Sequence, residues 1–351
     1  MVVAPMYRPA ACLVIIGLLL GTGIAHGARR DVVVMKNGDH FTGSVSKMEY
    51  GVLYVDTEYM TDPVTVDWLQ VESIQATIEF QVALKNGMRA AGMIAKSPAH
   101  GSPGGDFTIQ TAFQTITVAS ADVVSIESQR QHFWRQLKGS VDAGANFTSG
   151  NSQVGINSDA NVFYGVTNWS ASISFTSSFS TQSEGSETNI WEPQIIGNAY
   201  VGLNSYIFGI GDFLHSTEQQ LDLRMTGGGG YGQFWIRTNE QYLRWVGGIV
   251  YTHEVFDTVG AKPAYQNIEA MAGLQGQLFR FYRYRLQSQW LVFPSLSDPG
   301  RVRMTTRNTL SVKLPNNFYS SLSFWDNYDS RPPVVARKNE LGISSSLGWS
   351  F

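Results

Sequence analysis

The chain has 351 residues, 25 Lys+Arg against 28 Asp+Glu, and only 15% charged residues beside 12% aromatics and 35 glycines. That balance excludes a nucleic-acid footprint, which needs clustered cationic charge, and suits a β-rich protein whose surface is not wholly in water. A single cysteine also excludes a disulfide framework, so stability must come from packing, lipid or sheet closure.

At the N-terminus Arg8 precedes the apolar run Leu13 to Leu20, and small residues follow to Gly27. This order predicts a secretory signal peptide over residues 1–27, with Ala25 and Gly27 as the small residues before cleavage. The apolar run is short for a bilayer span. Cys12 lies before the run, so it is a poor lipoprotein anchor and the mature chain would carry no cysteine. No second long apolar stretch follows, and any membrane crossing must therefore be made by strands closed into a barrel.

Residues 32–127 contain an internal repeat. Val34-Met35-Lys36-Asn37-Gly38 recurs as Ala83-Leu84-Lys85-Asn86-Gly87, and Thr65-Val66-Asp67-Trp68 with Val71-Glu72-Ser73-Ile74 matches Thr117-Val118-Ala119-Ser120 with Val123-Val124-Ser125-Ile126. Each copy is one supersecondary unit in which Asn-Gly punctuates two β-branched runs as a tight hairpin turn. The boundaries expected are 28–78 and 79–128 for two small β modules that look like SH3-like or Sm-like barrels, with a linker over 129–137. Sm-like rings often bind RNA, but an exported chain without a basic patch points instead to a spacer or docking module. Ser97 to Gly105 reads as a loop inserted in the second copy, and the linker carries His132, a joint residue without metal-ligand partners at useful spacing, and the aromatic pair Phe133-Trp134.

Beyond residue 138 the period becomes two. Trp169, Ala171, Ile173, Phe175 and Phe179 alternate with Ser170, Ser172, Ser174, Thr176, Ser178 and Ser180; Val302, Met304, Leu310 and Val312 alternate with Arg301, Arg303, Thr305, Arg307, Thr309 and Ser311. One oily face and one polar face over such lengths predict transmembrane strands. About twelve segments are expected, near 138–149, 152–165, 168–181, 187–201, 204–217, 220–236, 240–255, 264–279, 283–295, 301–314, 317–329 and 339–351. The fold class read from the sequence is therefore all-β, a C-terminal antiparallel transmembrane β-barrel over 138–351 preceded by the two small modules. An even strand number puts both barrel ends on one side, which places residues 28–137 in the periplasm of an outer membrane. Tight and longer connections tend to alternate, as outer-membrane barrels have them, though Thr148 to Asn151 and Thr217 to Gln219 are short on the outer side too. A soluble β-sandwich is the alternative, with shorter strands facing water.

In the last segment Leu341, Ile343, Leu347, Trp349 and Phe351 share one face. Leu347, Trp349 and Phe351 resemble the C-terminal signal read by the barrel-assembly machinery, and closure is expected against the segment starting near Gly139.

A family resemblance rests on Gly139-Ser140-Val141-Asp142-Ala143-Gly144 with Thr148-Ser149-Gly150-Asn151-Ser152, on Tyr251-Thr252-His253-Glu254, Pro294-Ser295-Leu296, Asn327-Tyr328-Asp329-Ser330-Arg331-Pro332-Pro333 and Gly348-Trp349-Ser350-Phe351. In these the chain resembles the salt-induced outer-membrane proteins, a domain of unknown function, family 481. The resemblance covers the barrel alone; it implies outer-membrane location and transfers no catalytic residue. Gly227 to Gly230 departs from it and reads as a bent or closely approached strand.

Parity assigns Asp142, Asp159, Arg224, Arg244, Glu269, Arg285, Arg303 and Arg307 to the lumen. Mixed charges there either line a narrow aqueous path or pair and fill it, so an envelope-structural or small-solute pore role is expected. A rim hydrolase is the alternative from another class, but His215 and His253 sit in no nucleophile or metal motif, and no catalytic, cofactor or metal residue is assigned. The partners expected are outer-membrane lipid and lipopolysaccharide, the barrel-assembly machinery, and a periplasmic protein or peptidoglycan for the repeats.

Overall fold

The computed structural model describes residues 31–60, 63–97, 105–128, 137–148, 153–166, 168–181, 187–217, 219–257, 263–280, 283–332 and 338–351. The expected signal peptide, the joint at His132 to Trp134, nearly all of the inserted loop after Ser97 and several barrel connections lie outside them.

The N-terminal strands are β1 (Asp31–Met35), β2 (His40–Glu49), β3 (Val52–Asp56), β4 (Val64–Asp67), β5 (Val71–Leu84), β6 (Arg89–Ser97), β7 (Asp106–Gln110), β8 (Thr115–Ala119) and β9 (Val123–Ser128). The repeat is visible turn for turn. Gly38 and Gly87 both sit at φ +88°, a region open to glycine, and the bonds Gly38 N to Met35 O and Gly87 N to Leu84 O occupy equivalent places. The copies are not separate bodies: β5 runs without a break from pairing with β1 to pairing with β6 and β9, so they meet inside one strand. At the register shift within β5, the buried Asp31 carboxylate accepts from Thr77 N (2.7 Å), Thr77 Oγ1 (2.8 Å) and Val45 N (2.9 Å). A bulge leaves backbone donors unpaired, and this carboxylate supplies the missing acceptor.

The two copies also share one core, in which Val45, Leu53, Trp68 and Ile74 pack with Phe80, Ile94, Phe107 and Ile126. Trp68 and Ser120 hold equivalent positions in the repeat, and Trp68 Nε1 donates to Ser120 O at 2.8 Å. Lys96 is buried there, its amine donating to Trp68 O (3.0 Å) and lying 4.4 Å from the indole ring centroid. Burial, joined by the charge of Lys36, lowers its pKa from 10.5 to about 8. Between those values the unfolded chain binds a proton that the folded module does not, so stability should rise with pH across that window. Lys96→Met should raise stability at pH 7 by about 1–3 kcal/mol and flatten the rise. Hydrogen exchange of the β5–β9 amides in the full chain measures both; slower exchange in wild type than in the variant would count against this account.

Twelve strands follow: β10 (Lys138–Thr148), β11 (Gln153–Gly165), β12 (Trp169–Thr181), β13 (Glu187–Tyr200), β14 (Ser205–Ser216), β15 (Leu221–Arg237), β16 (Gln241–Phe256), β17 (Ala264–Arg280), β18 (Tyr284–Pro294), β19 (Val302–Lys313), β20 (Phe318–Asp329) and β21 (Asn339–Ser350). Each pairs antiparallel with the next, and β10 pairs with β21 from Ser140↔Ser350 to Thr148↔Gly342, closing the barrel. Phe351 completes the seam with reciprocal bonds to Gly139, its N–H donating to Gly139 O at 2.9 Å and Gly139 N–H donating to Phe351 O at 3.0 Å. Closure removes both sheet edges.

The outward face is oily. Ile173, Phe175, Ile195, Ile249, Trp290, Leu322 and Leu347 are all exposed at alternate positions of their strands. The alternative, a soluble sandwich, is thereby excluded, since the sheet closes on itself and its apolar side faces out. Gly228 and Gly230 are closely approached, as the glycine run predicts: a Cβ would lie 2.3 Å from Ile249 O and 2.1 Å from Gly247 O. Across the strand Gly248 meets the same restriction, so the β15–β16 wall packs backbone to backbone.

Candidate functional site

The inward parity carries the polar groups, and they divide by height. At the end away from the N-terminal module lies an ion-paired wall. Glu254 on β16 takes Arg224 of β15 at 2.8 Å and Arg301, just before β19, at 3.1 Å. Arg301 also holds Asp329 of β20 at 2.7 Å. Arg303 of β19 pairs with Glu269 of β17, which further accepts from Thr252 Oγ1 (3.2 Å) and Asn267 Nδ2 (3.1 Å). Glu254, Glu269, Arg301 and Arg303 are all buried. Charges out of water persist only when paired and hydrogen-bonded, and here each carboxylate has both.

Of the eight residues expected in the lumen, the structure therefore brings Arg224, Glu269 and Arg303 into this wall. The others stand apart. Asp142 and Asp159 face each other in register, and Asp142 accepts from Tyr319 OH at 2.5 Å and Ser346 Oγ at 3.5 Å. Arg244 donates through Nε to Gln275 Oε1 at 2.8 Å. Arg285 lies 4.9 Å from the Tyr50 ring centroid. Arg307 is 52% exposed and only 3.9 Å from Glu192.

Glu254, Arg301 and Asp329 stand on the same inward parity but were not among those eight, although Glu254 and Asp329 lie in the sequence elements that carry the family resemblance. Those elements converge here. Ser295 donates to Asn267 Oδ1 at 2.5 Å, Val302 N donates to Ser330 Oγ at 2.8 Å, and Arg331 Nη1 donates to Pro299 O at 3.2 Å. Loop and strand ends are tied to the wall by these bonds.

At the other end the N-terminal module sits on the mouth of the barrel. The β2–β3 turn, Tyr50-Gly51, has φ of 55° and 74°, the paired positive values of a tight hairpin turn. A tyrosine there is strained, and its ring is held against Phe279 of β17, centroids 3.9 Å apart, with Arg285 on it. Lys138, the first residue of β10, bridges Glu49 (3.2 Å) and Glu127 (2.7 Å). Burial alone would raise the Glu49 carboxyl, but Lys138 and Lys47 outweigh it and hold its pKa at about 2. Lys313 at the end of β19 donates to Tyr54 OH at 3.4 Å. Arg89 of β6 lies 3.4 Å from the centroid of Tyr200. At Gly87 a Cβ would lie 1.8 Å from Leu203 O, in the turn between β13 and β14. The module thus touches the barrel at several places around its rim. No local pattern in the sequence announces these contacts.

The histidines weighed for a rim hydrolase lie on the outward parity. His215 Nδ1 is 2.8 Å from Asp222 O and its ring stacks on Trp191, while His253 stands in register with Met225 and Gln266. Among the described residues no group of three His, Cys, Asp or Glu is placed to hold a metal.

A closed barrel with an apolar exterior and a polar, charged interior is an integral outer-membrane β-barrel. No curated protein matches the sequence. Solved structures of similar fold include a NanC porin, at 11% identity and TM-score 0.40, covering 60% of this chain and 98% of that one. The translocator domain of the autotransporter NalP from Neisseria meningitidis is 14% identical, with TM-score 0.39 and coverage of 61% and 88%. A KdgM porin is 10% identical, with TM-score 0.32 and coverage of 60% and 99%. Residues 141–351 match the model of DUF481, a family of proteins of unknown function, and the chain belongs to that family.

Proposed function

We propose that this barrel is a narrow small-solute pore whose periplasmic mouth is covered by its own N-terminal module, residues 28–137. The observation that carries the reading is exposure on the inside: Arg285, Gln287 and Arg307 point inward within a closed barrel and remain exposed. Side chains that met only other side chains would not be. Water therefore reaches the β18–β19 wall, while the ion-paired side of the lumen is filled. On this reading lipid and lipopolysaccharide surround the apolar exterior, and the barrel-assembly machinery pairs with β21 before Phe351 meets Gly139.

The role is passage and not catalysis. Purified full chain in planar bilayers should give small, discrete conductance steps, larger when the module is displaced by Lys138→Glu. Silence from both proteins, each shown to be folded by a heat-sensitive shift in gel mobility, would overturn the pore and leave an envelope-structural role.

A further inference from the structure

The lumen is electrically lopsided. Its far wall is paired charge for charge, whereas at the module end guanidinium groups are set against rings instead of carboxylates. Arg237 of β15 lies 5.1 Å from the centroid of Phe234, and Arg244 of β16 lies 5.7 Å from the same ring. Arg244 is also 5.3 Å from Tyr206. Tyr206 in turn packs on Phe234 (5.7 Å) and on Tyr200 (6.3 Å), the ring that carries Arg89 of the module. Three cations from two domains therefore share one continuous aromatic cluster. Among the described residues Arg237 and Arg244 form no ion pair with a carboxylate, unlike Arg224, Arg301 and Arg303.

Two further observations point to a ligand. The Tyr206 hydroxyl is buried beside Arg244 yet makes no hydrogen bond of ordinary geometry, and Asn204 Oδ1, two residues away, is likewise buried without a partner. Its ring is fixed in place: it occupies the space over Gly232, where a Cβ would fall 2.3 Å from Cζ. Arg237 and Arg89 are near enough to act on each other's charge, and like charges so placed repel unless an anion stands among them. Arg244 gives its Nε to Gln275, but a guanidinium on a ring also has Nη N–H groups at its edge, and these match a carboxylate in a two-pronged bond.

We infer that the seam between the module and the barrel is a binding site for small organic anions that carry a carboxylate on a ring, aromatic or sugar. Arg237 and Arg244 take the carboxylate, Tyr206 OH donates to it, and the faces of Tyr200 and Phe234 receive the ring. Arg89 closes the site from the module. The inference rests on the pore reading only in needing water to reach the lumen, and its test does not depend on conduction.

Calorimetric titration of the folded full chain in detergent with sodium benzoate and with sodium glucuronate decides it, with glucose as the uncharged control. Saturable binding of either salt, no binding of glucose, and a loss of about tenfold or more in affinity in Arg237→Gln and in Arg244→Gln are expected, the loss of one charged hydrogen-bonding partner. Which salt binds identifies the body of the ligand. If neither salt saturates, if glucose binds as well, or if both variants bind unchanged, the inference fails. Heat-modifiable gel mobility verifies that each variant is folded, and Arg237, at the end of its strand, decides alone if the Arg244 variant is not. A barrel that binds but does not conduct would remove the pore and keep the site.

Discussion

Lys138→Glu should free the module from the mouth of the barrel. The substitution puts a third carboxylate against Glu49 and Glu127, which now hold the amine at 3.2 and 2.7 Å. Glu127 is 40% exposed and its share is modest, but Glu49 is only 17% exposed and depends on the pairing. The Tyr50 turn would lose its anchor, and its strained φ of 55° would no longer be offset by contact with Phe279. The expected readouts are faster hydrogen exchange over β2 and β3 and a several-fold rise in conductance. Glu49→Lys in the Lys138→Glu background restores opposite charges and should bring both back toward wild type. If exchange in the hairpin is the same in all three proteins, the ion pair does not seat the module.

The same contact predicts a pH window. Glu49 has its pKa lowered from 4.5 to about 2, so its stabilisation is fully present above 4.5 and is lost as pH falls through about 2. Docking should therefore persist at pH 4 and fail only in stronger acid. Release already complete near pH 4 would assign the seam to another group.

The barrel was legible in the sequence because oil outside and polar groups inside impose a strict period of two, and a slip of one residue would turn every side chain to the wrong face. The segment expected at 220–236 is the strand Leu221–Arg237, and that at 317–329 is Phe318–Asp329. The partner of the terminal aromatic was legible too, since in an antiparallel chain of neighbours the last strand has only the first left to pair with. Parity fixes a face and not a pairing. Arg301 and Asp329 stand on the polar parity of the segments expected at 301–314 and 317–329, one residue before β19 and at the last residue of β20, but alternation alone does not say which charges on a face come within reach of one another. The docking of the module was hidden for another reason: Tyr50 and Phe279, or Arg89 and Tyr200, meet across domains, and such contacts leave no period in either segment. The repeat likewise defines a unit without showing that β5 carries both copies.

Arg301→Met should cost about 3–5 kcal/mol of barrel stability, the penalty of breaking a buried pair from one side. Arg301 is 4% exposed and is the only group joining Glu254 to Asp329 among the described residues. Backbone bonds in a barrel tie each strand to its two neighbours. This guanidinium instead links β16, by way of Glu254, to β20, by way of Asp329, over the strands between them. Removing it leaves Asp329 facing the lumen with the Arg331 N–H at 3.0 Å, and leaves Glu254 to Arg224 alone. Methionine keeps the bulk of the side chain, so the loss reports charge more than volume. Adding Glu254→Gln removes one of the uncompensated carboxylates, and the double variant should be more stable than the sum of the two single losses by about 1 kcal/mol or more. Unfolding of the full chain in urea, followed by tryptophan fluorescence and by gel mobility, gives all four values. Equal midpoints for wild type and Arg301→Met would show that the paired wall does not hold the barrel, and simple additivity would show that Arg301 and Glu254 act on different parts of it.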